Sequence, residues 1–169
     1  GRRLAQLYVE RNKLDEAIAE YQRVLTAKPD ELELYLELGQ LFAKGDKFKE
    51  AKNQWEKVLA KNLKDAGLCT RIASMYALYE REEDAVRLYE RAIEIEPESM
   101  QRYTDLAEYL FTRTKAEPAK AVLARAFQAA QGKPRRLEAI AGTLREHDLV
   151  EQAKACLEQI LALEPNNQE

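Results

Sequence analysis

An alanine recurs every 34 residues along this chain, with no insertion or deletion between its copies. The five copies are Ala17, Ala51, Ala85, Ala119 and Ala153. Four positions after each alanine comes a large apolar residue: Tyr21, Trp55, Tyr89, Leu123 or Leu157. A fixed period of this length is typical of repeat architectures, in which each repeat is one supersecondary unit stacked on the next. The period therefore limits the possible folds more strongly than any single motif does.

Each repeat holds two amphipathic stripes separated by a short polar segment. A second set of apolar and small residues precedes each alanine, in the pairs Leu4-Ala5, Leu38-Gly39, Ile72-Ala73, Leu106-Ala107 and Ile140-Ala141. Apolar residues at i, i+3, i+4 and i+7 predict α-helices, and small residues let crossing helices approach closely. We therefore predict five helix pairs: 3–10 with 14–27, 31–44 with 48–61, 65–78 with 82–95, 99–112 with 117–130, and 134–145 with 149–162.

The pattern of small, aromatic, small and proline residues resembles that of the tetratricopeptide repeat family over the whole chain. Residues 83–97, EDAVRLYERAIEIEP, show it with Ala85, Tyr89, Ala92 and Pro97, whereas Leu63 and Gln131 replace the proline in two repeats. The resemblance implies an all-α fold, a right-handed α-solenoid of five helix-turn-helix repeats whose first helices line the concave side. The repeats are predicted at 1–31, 32–65, 66–99, 100–133 and 134–167. We expect the chain to be a fragment of a longer protein.

Composition and charge argue against several classes of function. The 27 basic and 30 acidic residues are interspersed and the net charge is −3, so nucleic acid is not an expected partner. No apolar run approaches the roughly 18 residues of a membrane span. The chain has two distant cysteines, Cys69 and Cys156, and we expect a reducing, cytoplasmic location. We read His147, the single histidine, as a solvated turn residue.

The sequence contains no recognisable catalytic or metal-binding constellation. It has no glycine-rich phosphate loop, no nucleophile elbow and no cluster of ligands spaced for zinc. We therefore predict no enzymatic activity, no cofactor and no metal site.

The resemblance places a partner segment in a groove formed by the first helices. Residues beside the core stripe would face this groove, and Val9, Ala43, Ala77 and Phe111 would form an apolar stripe along it. A peptide or a helix could bind there with apolar anchors, while Arg71 and Glu108 set its register. Tyr79 and Tyr109 fall outside the core phase and are expected at a groove edge or ridge. The predicted contacts are Leu36, Gln40, Ala43, Arg71, Ser74, Ala77, Thr104, Glu108 and Phe111.

A carboxylate clamp for acidic chaperone tails is not expected. Family members with such a clamp carry Lys and Asn four apart on one first helix, Asn on the next, and Lys and Arg four apart on the third. The first register places Arg2, Gln6, Glu37, Gly67 and Arg71 at these positions, and Glu37 would repel the bound carboxylate. The two later registers do not match either.

Two other roles remain open from the sequence. The chain could be the substrate-recruiting arm of a larger enzyme such as a glycosyltransferase, or a regulatory module that recognises a folded partner such as a small GTPase through an edge or the convex face. Leu157, Ile160 and Leu161 would leave an apolar edge on the last repeat. We expect the parent protein to continue past this edge, or a second copy to cover it by self-association.

Overall fold

The structure, a computed structural model, describes residues 1–164 and forms ten α-helices within that range. The helices are α1 (Arg2–Glu10), α2 (Leu14–Ala27), α3 (Leu32–Lys44), α4 (Phe48–Lys61), α5 (Ala66–Leu78), α6 (Glu82–Ile95), α7 (Met100–Thr112), α8 (Ala116–Ala130), α9 (Pro134–Glu146) and α10 (Val150–Leu163). Each predicted helix is present, and every helix end lies within one residue of its predicted position. The all-α prediction is confirmed, while Pro165 and the end of the predicted fifth repeat lie outside the described residues.

The chain divides into two compact units. Unit 1 spans Gly1–Lys64, in which α1 pairs with α2, α3 pairs with α4, and α2 contacts α3. Unit 2 spans Asp65–Glu169, with the pairs α5–α6, α7–α8 and α9–α10. The first helices of unit 2 also contact one another, α5 with α7 and α7 with α9. Unit 2 thus presents three neighbouring first helices, which is the arrangement that a groove requires.

The recurring alanines lie where the helices pack. Ala17, Ala51, Ala85, Ala119 and Ala153 are all buried. The large residue four positions later is buried in the first four repeats, but Leu157 is 50% exposed. The expected apolar edge is therefore present at Leu157 and Leu161, and Ile160 is half-buried.

The turn inside each helix pair uses one residue with a positive φ, again at a 34-residue spacing. These residues are Asn12, Asp46, Glu80, Thr114 and Asp148, with φ from 56° to 59°. The backbone N–H that follows each of them bonds to the carbonyl five residues earlier, as in the Schellman ending of a helix. In the second turn this residue is Asp46 and not Gly45, whose φ is −92°.

Candidate protein-interaction groove

The three first helices of unit 2 line an open concavity of about 560 Å³. We call it the unit-2 groove. Its walls are Thr70 and Ser74 of α5, Tyr89 of α6, Gln101, Thr104, Asp105, Glu108, Tyr109 and Thr112 of α7, and Ala139, Thr143 and Glu146 of α9.

Helix periodicity explains why these residues share one surface. On α7, Gln101, Thr104, Asp105, Glu108 and Thr112 follow one another at spacings of three and four, which place side chains on one helix face. Core residues of α7 such as Leu106 and Leu110 occupy the opposite face, while the buried Thr104 and Tyr109 also border the groove. The groove is therefore the polar side of an amphipathic helix, flanked by the polar sides of its two neighbours.

Several groove hydroxyls donate to their own helix backbone. Thr70 donates to the carbonyl of Ala66 at 3.1 Å and Thr104 to that of Gln101 at 3.0 Å. Thr112 donates to the carbonyl of Tyr109 at 2.6 Å. A hydroxyl has one proton and two lone pairs, so each of these oxygens has only acceptor capacity left for a further partner.

Three carboxylates lie in the groove walls, and the lining residues include no lysine or arginine. Asp105 accepts a hydrogen bond from Nε2 of Gln101 at 2.7 Å and lies 3.6 Å from Arg102 on the same helix. Glu146 is exposed near the end of α9. The groove is thus rich in acceptors and negative in charge.

The third carboxylate, Glu108, contacts His147, which follows α9. Nε2 of His147 lies 3.0 Å from both carboxylate oxygens of Glu108. The His147 ring also stacks on Phe111, with centroids 3.7 Å apart and an interplanar angle of 11°. The reading of His147 as a solvated turn residue is wrong, because its side chain is only 23% exposed and is held by two residues of α7. A carboxylate only accepts hydrogen bonds, so this contact requires the proton on Nε2.

The structure brings three predicted contact residues together in the unit-2 groove: Ser74, Thr104 and Glu108. Of these, Thr104 is largely buried, with 8% exposed. Phe111 is half-buried beneath the His147 ring. Arg71 is exposed and Ala77 half-buried, both on α5, and neither is among the lining residues.

In unit 1 the structure contradicts two predicted contacts. Leu36 is 2% exposed and Ala43 is 1% exposed, so neither offers a surface to a partner. The reason is that α3 is buried around most of its circumference and not only along one stripe. Its buried residues include Leu34, Leu36, Leu38 and Leu41. Gln40 on the same helix is exposed.

Tyr109, expected at a groove edge or ridge, does line the unit-2 groove, but its side chain is buried, with 8% exposed. Its ring lies 5.4 Å from that of Tyr89, and burial raises the pKa of its hydroxyl. The positions 34 and 68 residues earlier hold Met75 and Leu41, which are also buried. Aligning the repeats at this position could have revealed the burial.

Glu37 has a partner within unit 1. Nη2 of Arg2 donates to its carboxylate at 2.5 Å, so these two residues of the first clamp register bind each other. The absence of a carboxylate clamp stays a prediction. Within residues 1–164, no three His, Cys, Asp or Glu side chains cluster as a metal site would require.

Two segments of the chain match models of the tetratricopeptide repeat. Residues 5–46 match the family model described as TPR repeat, and residues 66–99 match the one described as tetratricopeptide repeat. The chain therefore carries tetratricopeptide repeats, as its sequence pattern indicated. Among curated proteins, none matches it.

Solved structures share the fold. The crystal structure of MamA is 19% identical, with a TM-score of 0.50, and the match covers 95% of this chain and 94% of MamA. A structure reported with the functional characterization of Pseudomonas aeruginosa pilF is 17% identical, with a TM-score of 0.53, and the match covers 96% of this chain and 74% of the other. At these identities the likeness shows the fold alone.

Repeats of this family are typically non-enzymatic modules through which proteins interact. The two family matches and the fold support a protein–protein interaction scaffold. In the described part of the chain, no helix has both the length and the apolar character needed to cross a bilayer.

Proposed function

We propose that this chain is a non-catalytic interaction scaffold that binds a segment of a partner protein in the unit-2 groove. The observation that carries this proposal is the shared surface of α5, α7 and α9, which offers hydroxyl and carboxylate acceptors and no cation among its lining residues. An open, acceptor-lined groove suits a chain segment with unsatisfied donors.

The partner segment has to supply hydrogen-bond donors and positive charge. An extended peptide exposes backbone N–H groups, and Lys or Arg side chains complement Glu108 and Glu146. Asp105 is already bonded to Gln101 and close to Arg102, and both carboxylate oxygens of Glu108 lie 3.0 Å from Nε2 of His147. These two carboxylates therefore contribute through their remaining lone pairs and their negative charge. We therefore expect a basic segment, and this expectation agrees with the predicted failure to bind acidic chaperone tails.

Apolar contacts contribute less to binding of the partner segment than the sequence pattern indicated. Of the predicted stripe, Ala43 is buried, Val9 and Ala77 are half-buried, and Phe111 has one ring face against His147. The remaining apolar surface comes from the exposed Ala139 and from threonines that are not fully buried, such as Thr112. Charge and hydrogen bonding therefore set the register of the bound segment.

Selection of peptides from a random library on the intact chain tests this proposal. Selected peptides should be enriched in Lys and Arg, and raising the salt concentration should weaken their binding. The double variant Glu108→Gln with Glu146→Gln should lower affinity about tenfold or more, since one lost charge pair is worth about 1.4 kcal/mol in a partly desolvated groove.

The matched control is Glu83→Gln with Glu94→Gln, which removes the same charge from exposed positions on α6. This control should bind like the unchanged chain. Peptides that carry no basic residues, or that lose no affinity in the groove variant, would contradict the proposal. Circular dichroism of each variant confirms that the helices are retained.

A further inference from the structure

Two ion pairs join the second helices α6 and α8 in unit 2. Arg125 donates two hydrogen bonds to Glu90, at 2.8 and 2.9 Å, and Lys115 pairs with Glu82. Both pairs bridge neighbouring repeats across the space between the two helices. They place charged side chains in that space.

The next pair of second helices, α8 and α10, lacks both bridges. Thirty-four residues after Glu90 and Arg125 stand Ala124 and Gln159. The positions equivalent to Glu82 and Lys115 hold Ala116 and Leu149. Leu149 is the more telling change, because the other four repeats have a basic residue there: Lys13, Lys47, Arg81 and Lys115.

The structure has an apolar cavity of about 270 Å³ between α8 and α10, where these two bridges are missing. We call it the α8–α10 cleft. Its apolar walls are Leu123, Ala124, Phe127, Leu144, Leu149 and Ala155, and its polar rim is Lys120, Gln128, Gln131 and Gln152. None of these residues lines the unit-2 groove. Phe127 and Leu149 are half-buried, so part of their apolar surface is open to a ligand.

The size and charge of the cleft define what can bind. A cavity of about 150 Å³ with apolar walls already holds benzene, so this cleft accommodates a large apolar side chain. Lys120 is the only charged lining residue, and its partner Glu117 is highly exposed. Exposed pairs of this kind are weak, so the Lys120 ammonium can turn to a second carboxylate.

We propose that the α8–α10 cleft is a second binding site, which takes an aromatic or branched apolar side chain lying beside a carboxylate on a partner protein. The apolar walls accept the side chain, and Lys120 holds the neighbouring carboxylate. The three glutamines of the rim can bond to the partner's backbone. This site does not depend on the function proposed for the unit-2 groove.

N-acetyl-phenylalanine is a minimal probe for this site, because it joins an aromatic ring to a carboxylate. Titrated into the intact chain, it should shift amide resonances of α8 and α10 around Ala124 and Leu149 in ¹H–¹⁵N NMR spectra. N-acetyl-phenylalaninamide, which lacks the carboxylate, should bind about two- to fivefold more weakly. Lys120→Gln should remove this difference.

Two variants restore the residues of other repeats and should close the cleft. Ala124→Glu introduces the equivalent of Glu90, and Leu149→Lys introduces the equivalent of Lys115. Each should abolish the shifts caused by the probe, whereas Ala19→Glu, at an exposed position of α2, should not. Using both closing variants keeps the test valid if one of them fails to fold.

Three results with the probe would overturn the proposal. They are the absence of shifts at the cleft, equal binding of the acid and the amide, and unchanged binding to Ala124→Glu or Leu149→Lys. A fourth is concentration-dependent self-association of the unchanged chain that Ala124→Glu abolishes. That result would make the occupant a second copy, since α10 itself exposes Leu157 and Leu161 beside Glu158.

Discussion

The indole of Trp55 packs directly against the backbone of Gly39, so that a Cβ atom on residue 39 would lie 2.2 Å from Nε1 of Trp55. Trp55 is fully buried, and its Nε1 points to the carbonyl of Leu36 at 3.4 Å. The equivalent pairs in the first and third repeats are Ala5 with Tyr21 and Ala73 with Tyr89. The larger aromatic residue, Trp55, thus occurs in the repeat in which glycine replaces the alanine of the other two pairs.

Gly39→Ala should destabilise the protein by about 1–3 kcal/mol, because the added methyl group forces the buried indole out of place. Urea denaturation followed by circular dichroism measures the change in every variant, since Trp55 is the single tryptophan of the chain. The double variant Gly39→Ala with Trp55→Tyr recreates the pair found in other repeats. It should be more stable than the sum of the two single changes predicts, and strict additivity would show that the two residues are not coupled.

The two neighbouring tyrosines of unit 2, whose rings are tilted by 32°, should respond differently to loss of the hydroxyl group. The Tyr109 hydroxyl is buried with no hydrogen-bond partner among residues 1–164, whereas the Tyr89 hydroxyl bonds to Ser74 at 3.0 Å. Tyr109→Phe should therefore leave the free energy of unfolding unchanged or raise it, and Tyr89→Phe should lower it by about 1 kcal/mol. Thermal unfolding of both variants decides the matter, and a larger loss for Tyr109→Phe would contradict this assignment.

Thr114 should be a source of backbone strain. It is β-branched and has a φ of 59°, a region that suits Gly and Asn far better. Thr114→Asn should raise the free energy of unfolding by about 0.5–1 kcal/mol, somewhat less than the usual cost of a left-handed residue. The reverse change at the equivalent position, Asn12→Thr, should lower it by a similar amount. Chemical denaturation of both variants tests the pair.

Alkaline pH should weaken unit 1 through Tyr21. Burial and a hydrogen bond to Glu37 raise the pKa of Tyr21 from 10.0 to about 12. The neutral phenol is favoured in the folded state, so the stabilisation is complete below pH 10 and is lost as the pH rises toward 12. The free energy of unfolding should fall over this interval, and Tyr21→Phe should make the fall shallower. An equally steep fall in the variant would assign the effect to other groups.

Repeat spacing determined which segments are helical, which alanines are buried and where each turn lies. These features depend on side chains a few residues apart, whose positions follow from the geometry of one helix pair. Ala85 and Ala119 could therefore be placed in the core from the 34-residue period alone. Comparing equivalent positions between repeats also predicts that Tyr109 is buried, since Leu41 and Met75 occupy the same position in the second and third repeats and are buried.

Only the tertiary structure decided which of the remaining first-helix residues are accessible and what they contact. Leu36 and Ala43 are buried because α3 is covered on more than one face, and His147 reaches Glu108 and Phe111 because α9 lies beside α7. The cleft between α8 and α10 likewise depends on side chains from different repeats. Such contacts join residues more than 30 positions apart, and their distances are set by how helices pack, which no local spacing specifies.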